Sequence, residues 1–144
     1  MIVVDSAGLV DALTTVAGSE ELRADLARNE LPAPTLIDFE VVSAVRGHTL
    51  GGHLSAERAE DFLTDFDDLP IERWPAAHPL RRRAFQLRHS LSACDAAYVA
   101  LAEALDCPPA AGLRPGWAAT QPGDGSLATG SSVRAVRAGA RGGR

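Results

Sequence analysis

A chain of 144 residues with 46% hydrophobic and 23% charged residues suits one globular domain with a sizeable core. Its net charge of −5 excludes broad capture of nucleic acid by the whole body, so any such binding needs a local patch. The start carries no basic n-region and no run of spanning length. Cys94 and Cys107 are too few for a disulfide framework and lack metal-site spacing, so a reduced cytoplasm is the simplest setting.

Met1-Ile2-Val3-Val4 reads as a strand buried on both faces of a parallel sheet, and it ends on Asp5. In open α/β sheets ligands bind beyond the carboxyl ends of strands, which puts Asp5 at the mouth of a site. An aspartate there equally suits the cap of the next helix. That helix is expected from Ser6 to Ala17, with Leu9, Leu13 and Val16 inward and Gly18 as its stop. Ser19 opens another with Glu20 and Glu21 in its first turn and Leu22 and Leu26 inward. Leu31-Pro32-Ala33-Pro34 reads as a sheet-edge strand because of its prolines.

From Thr35 to His48 the spacing is helical, with Leu36, Ile37, Val41, Ala44 and Val45 as the apolar face and Gly51-Gly52 as the break. Ser55 caps a helix reaching about Leu69, and a turn and short strand follow to Trp74. His78-Pro79 opens a helix running to His89, and Ser92 caps an Ala-rich one from Ala93 to Leu105. Strands alternating with helices predict an α/β fold around a central parallel sheet, covered on both faces.

Three carboxylates attract attention. Asp5 ends the first strand. Glu40 neighbours Leu36, Val41 and Ala44 on its helix, although spacing alone favours an exposed glutamate. Asp95 follows Ser92 by three, where an acid in a capping-box position needs no catalysis. Two carboxylates about 5 Å apart repel by roughly 3 kcal/mol at an effective dielectric near 20. Clustered acids therefore take up protons or call for a hard, oxygen-seeking cation such as Mg²⁺ or Mn²⁺. Arg81-Arg82-Arg83, Arg46 and Arg88 are candidate phosphate contacts, although a solvated helix face is the ordinary account of such a run. The four histidines lack ligand spacing and read as surface residues, and Trp74 and Phe85 as core or interface.

Ile2-Val3-Val4-Asp5-Ser6, Ala33-Pro34-Thr35-Leu36-Ile37-Asp38-Phe39-Glu40-Val41 and Leu91-Ser92-Ala93-Cys94-Asp95-Ala96-Ala97-Tyr98-Val99-Ala100-Leu101-Ala102-Glu103 together resemble the PIN domain. More narrowly, they resemble the VapC toxins of bacterial toxin–antitoxin pairs, particularly actinobacterial ones. The resemblance covers residues 1–107. It implies a PIN-like α/β/α sandwich and a metal-dependent endoribonuclease toxin neutralised by a cognate antitoxin protein. Asp5, Glu40 and Asp95 carry over as catalytic and metal-binding acids, with Mg²⁺ or Mn²⁺ as cofactor. RNA is the implied substrate and a homodimer the implied assembly, while Asp38 is a local helix-start residue. Ala7 stands where the family usually has a small hydroxyl, and Ser92 and Cys94 replace a usual Thr and Tyr.

After Cys107 the pattern breaks. The family continues with an apolar strand and a fourth acid; here Pro108-Pro109-Ala110-Ala111-Gly112 follows, with no acid before Asp124. Nine arginines face eighteen acids up to Asp106, five face one beyond it, and lysine is absent throughout. Eight of the 13 glycines lie from Gly112 onward. Residues 1–107 thus read as a PIN-like domain incomplete at its C-terminal end, and 108–144 as a Gly/Pro/Arg-rich divergent tail with little order. The alternative to a working nuclease is a catalytically impaired PIN remnant acting only as a protein-binding module. A receiver domain also sets acids at strand ends, but its acids cluster early and a lysine follows. The abrupt break has the character of a shifted reading frame. The coding DNA, translated in another frame just after the Cys107 codon, is expected to yield an apolar strand followed by an acid; the absence of such a segment in every frame refutes the shift.

Overall fold

A computed structural model describes residues 1–14 and 20–107. Among the described residues six helices and two strands follow in chain order: α1 (Ser6–Leu13), α2 (Glu20–Arg28), β1 (Leu31–Pro34), α3 (Ile37–Leu50), α4 (Ala56–Asp68), β2 (Ile71–Trp74), α5 (His78–Gln86) and α6 (Ala93–Leu105). The expected stop at Gly18, the helix start at Ser19 and the divergent tail with Asp124 lie outside the described residues.

β1 and β2 pair in parallel, with Leu31 opposite Ile71 and Pro34 opposite Trp74. Segment 1–5 runs along the other side of β1, where Ile2 N–H donates to the Glu30 carbonyl at 3.0 Å and Val4 N–H to the Pro32 carbonyl at 3.2 Å. β1 is therefore flanked on both sides and is not the edge its prolines suggested. The physical reason lies in strand alternation. Pro32 offers its carbonyl to segment 1–5, and Pro34, two residues on, addresses the same neighbour. The missing N–H groups thus fall on that side, so the pairing with segment 1–5 runs in one direction while the pairing with β2 stays intact.

Local chemistry sets the helix ends. Asp5 caps α1, Ser55 caps α4 through Arg58 N–H, and Ser92 caps α6 through Asp95 N–H. Pro79 stands in the first turn of α5, where its missing N–H costs no helical bond. α3 stops before Gly51-Gly52, and Gly52 takes a φ of +75°, which a side chain would strain. Asp106, just past α6, adopts the left-handed region that aspartate tolerates better than most residues.

The core gathers Val3, Val4, Leu9, Leu31, Ile37, Val41, Phe62, Phe66, Trp74 and Leu101. α1 packs on α2 and α3, α3 on α4, and α6 on both α5 and β1. Arg83 of α5 joins α6 through two bonds to Glu103, Nε to Oε2 at 2.6 Å and Nη2 to Oε1 at 2.9 Å, a forked charge-assisted pair. Trp74 is core as expected, whereas Phe85 is 68% exposed. None of the described helices is long and apolar enough to cross a membrane.

Leu101 is completely buried, whereas Phe39 is 82% exposed. Leu101→Ala is expected to destabilise the fold by about 2–5 kcal/mol, and Phe39→Ala by no more than about 0.5 kcal/mol. Urea midpoints at unchanged slope measure both; equal losses for the two refute this assignment of the core.

Candidate active site

The chain turns from segment 1–5 into α1 at Asp5, which is only 7% exposed. Its Oδ1 accepts the Gly8 backbone N–H at 2.8 Å, so the capping role is real. The cap does not exhaust the residue. Burial pushes the Asp5 carboxyl above its usual range and outweighs the opposing pull of the Gly8 bond. The charges of Glu40, Asp11 and Asp95 push it further the same way.

Glu40 sits in the first turn of α3, three residues after the fully buried Ile37 and one before the fully buried Val41. This places it at the margin of the apolar stripe, and its side chain is half-buried rather than free in solvent. The Tyr98 hydroxyl donates to Glu40 Oε2 at 2.5 Å. Asp95 is held locally: its N–H donates to Ser92 Oγ at 3.1 Å, and the Ser92 hydroxyl donates back to Asp95 Oδ2 at 2.7 Å. Cys94 lies exposed beside both acids, and the solvent displaced by its neighbours, then the Glu40 carboxylate, push its thiol up.

The structure thus brings Glu40 and Asp95 within electrostatic reach of Asp5, from three separate elements. Asp11 of α1 also reaches Asp5 with its charge. Among the described residues, no three His, Cys, Asp or Glu side chains stand close enough together to ligate one ion. The donor chemistry nevertheless suits a hard divalent cation. Every charged donor is a carboxylate oxygen, and their mutual repulsion at a buried Asp5 is what such a cation relieves.

Asp38 is engaged elsewhere, accepting Arg73 Nε at 2.8 Å, in keeping with a local role. The arginine run does not act as one patch. Arg83 is tied to Glu103, and Arg81 donates to the Ala76 carbonyl. Arg81 and Arg88 line a largely apolar groove of about 570 Å³ that meets α6 at Ala93 and Ala97, not at Asp95. The four histidines are exposed. Tyr98 is the site residue that sequence reasoning passed over. Its signal was present as a tyrosine one turn beyond Asp95, but a tyrosine in an apolar helix ordinarily reads as core.

A parallel two-stranded sheet among helices, with an acid where segment 1–5 meets α1 and others in the first turns of α3 and α6, is the arrangement of a PIN-like domain. No family model matches the chain. Among curated proteins, it is 34% identical over 108 residues to Ribonuclease VapC12 of Mycobacterium tuberculosis, covering 75% of this chain and 83% of that one. It is 39% identical over 107 residues to Ribonuclease VapC1 of the same organism, at 74% and 80% coverage. Ribonuclease VapC9 is 36% identical over 107 residues, at 74% and 81% coverage. The chain belongs to the VapC family.

The raised Asp5 carboxyl sets a pH dependence. A carboxyl that holds its proton more tightly in the folded than in the unfolded chain makes the fold bind more protons between the two pKa values. Stability then falls as pH rises through that window, which opens at the ordinary aspartate value of 3.8 and extends upward. Asparagine caps a helix as well as aspartate does. Asp5→Asn is therefore expected to raise the melting temperature in EDTA at pH 7 and to leave it nearly unchanged at pH 4. Melts that differ equally at both pH values contradict this account of Asp5.

Proposed function

We propose that the chain is a metal-dependent endoribonuclease toxin, acting on RNA in the cytoplasm and restrained by a cognate antitoxin protein. The observation that carries this is the buried Asp5, facing the charges of Glu40 and Asp95 in a chain whose relatives are named ribonucleases. Asp5, Glu40 and Asp95 would hold Mg²⁺ or Mn²⁺. A bound divalent ion supplies Lewis-acid polarisation of the scissile phosphate and makes water a better nucleophile near neutral pH.

The chain's own residues do the rest. Asp5 is fixed by the Gly8 bond, so its free oxygen has a defined direction. Asp95 is fixed by Ser92, whose hydroxyl occupies Oδ2. Glu40, whose Oε2 is held by Tyr98, keeps its other oxygen to orient an attacking water. Low exposure at Asp5 keeps bulk water from screening these charges. By analogy with the family, the toxin assembles as a homodimer.

A second proposal is favoured by one observation: no three acids among the described residues stand close enough to ligate an ion. In that case the chain is an impaired PIN domain that binds its antitoxin without cutting RNA. Cleavage of a mixed RNA substrate separates the two. An active toxin loses cleavage in EDTA, regains it with Mg²⁺ or Mn²⁺, and is inactive as Asp5→Asn or Asp95→Asn. Cleavage that survives EDTA and both substitutions refutes the metal-dependent site. Absence of cleavage by a folded wild-type chain at any Mn²⁺ concentration favours the binding module.

A further inference from the structure

Tyr98 lies three residues after Asp95 on α6, one turn along the same face. It is 2% exposed, and its hydroxyl reaches Glu40 Oε2 on α3, 58 residues away in sequence. A buried tyrosine hydroxyl needs a partner, so a packing role alone would be an ordinary explanation. The identity of that partner argues for more. Asp5 and Glu40 repel one another, and a half-buried glutamate at the margin of the apolar stripe relieves repulsion by swinging outward. Its neighbour Phe39 is 82% exposed, so open solvent lies close by. A hydroxyl bonded to an ionised carboxylate is a charge-assisted contact, stronger than its neutral counterpart. It stands on the helix that also carries Asp95. The bond therefore opposes that outward swing of Glu40.

We propose that Tyr98 is a positioning residue that holds the Glu40 carboxylate within electrostatic reach of Asp5 before a divalent cation binds. It rests on the metal-dependent site proposed above. The phenol ring supplies packing, and the hydroxyl supplies direction; Tyr98→Phe removes only the second. Because the phenylalanine ring keeps the volume of the core, the variant tests orientation with little change in packing.

The experiment is a Mn²⁺ titration of the full chain, with free Mn²⁺ read by its electron paramagnetic resonance signal, alongside thermal melts in EDTA. Tyr98→Phe is expected to weaken Mn²⁺ binding about 10- to 100-fold, the range typical of residues that orient metal ligands. In a Glu40→Gln background the same substitution is expected to change Mn²⁺ affinity no further, because the two residues act as one unit. In cleavage assays, saturating Mn²⁺ restores much of the lost rate while the KM for RNA stays at the wild-type value. A lowered melting temperature with an unchanged Mn²⁺ isotherm overturns the proposal and leaves Tyr98 a packing residue. An equal loss of affinity in the wild-type and Glu40→Gln backgrounds overturns it too, since the effect would not pass through Glu40. A folded wild-type chain that takes up no Mn²⁺ refutes the metal site itself, and the role of Tyr98 with it.

Discussion

Burying the Asp5 carboxylate at the start of α1 costs free energy that the single Gly8 N–H does not fully offset, and Glu40, Asp11 and Asp95 add like charge from α3, α1 and α6. A fold built for stability alone would place an asparagine or serine at this cap. The acid is tolerated because the surrounding packing is strong: Val3 and Val4 are each 1% exposed, and Leu9 is completely buried. The end of segment 1–5 thus joins a tightly buried part of the core to an electrostatically strained carboxyl. Such a conflict between local stability and local charge marks a functional position.

The remaining acids are placed by the same core. Ile37, Val41 and Val45 lock the rotation of α3, and Glu40 has to follow at the margin of that stripe. Tyr98, Leu101 and Ala102 do the same for α6, whose first turn carries Asp95. Arg83 and Glu103 brace α5 against α6, so the helix that presents Asp95 and Tyr98 is tied on two sides, to α5 and to β1. Hydrophobic period, rather than any bond between the acids, brings them into range of one another.

That period is why so much of the fold was legible. The starts of α4, α5 and α6 follow from Ser55, Pro79 and Ser92, which are local signals. The position of β1 was not legible, because prolines report which N–H groups are missing but not which neighbour would have used them. Glu40 was ambiguous for a related reason: spacing gives a helix face, whereas its half-buried state depends on α6 approaching from far along the chain. Tyr98 was invisible as a site residue until its hydroxyl had a partner 58 residues away. Asp5 read two ways in sequence, as cap and as charged tip, and it is both.

The one-directional pairing of segment 1–5 with β1 also bears on how the chain avoids trouble while folding. A central strand that loses its neighbour presents an open edge, and open edges recruit strands from other molecules. β1 accepts bonds on that side through the carbonyls of Glu30 and Pro32, but Pro32 has no N–H to give in return, and neither has Pro34. A foreign strand docking there would complete only half a ladder. What segment 1–5 has, and an intruder lacks, is a side-chain set that fills the space between the helices, with Val3 and Val4 buried almost completely. Recognition of the proper neighbour thus passes from the backbone, which any peptide can imitate, to the side chains, which few can.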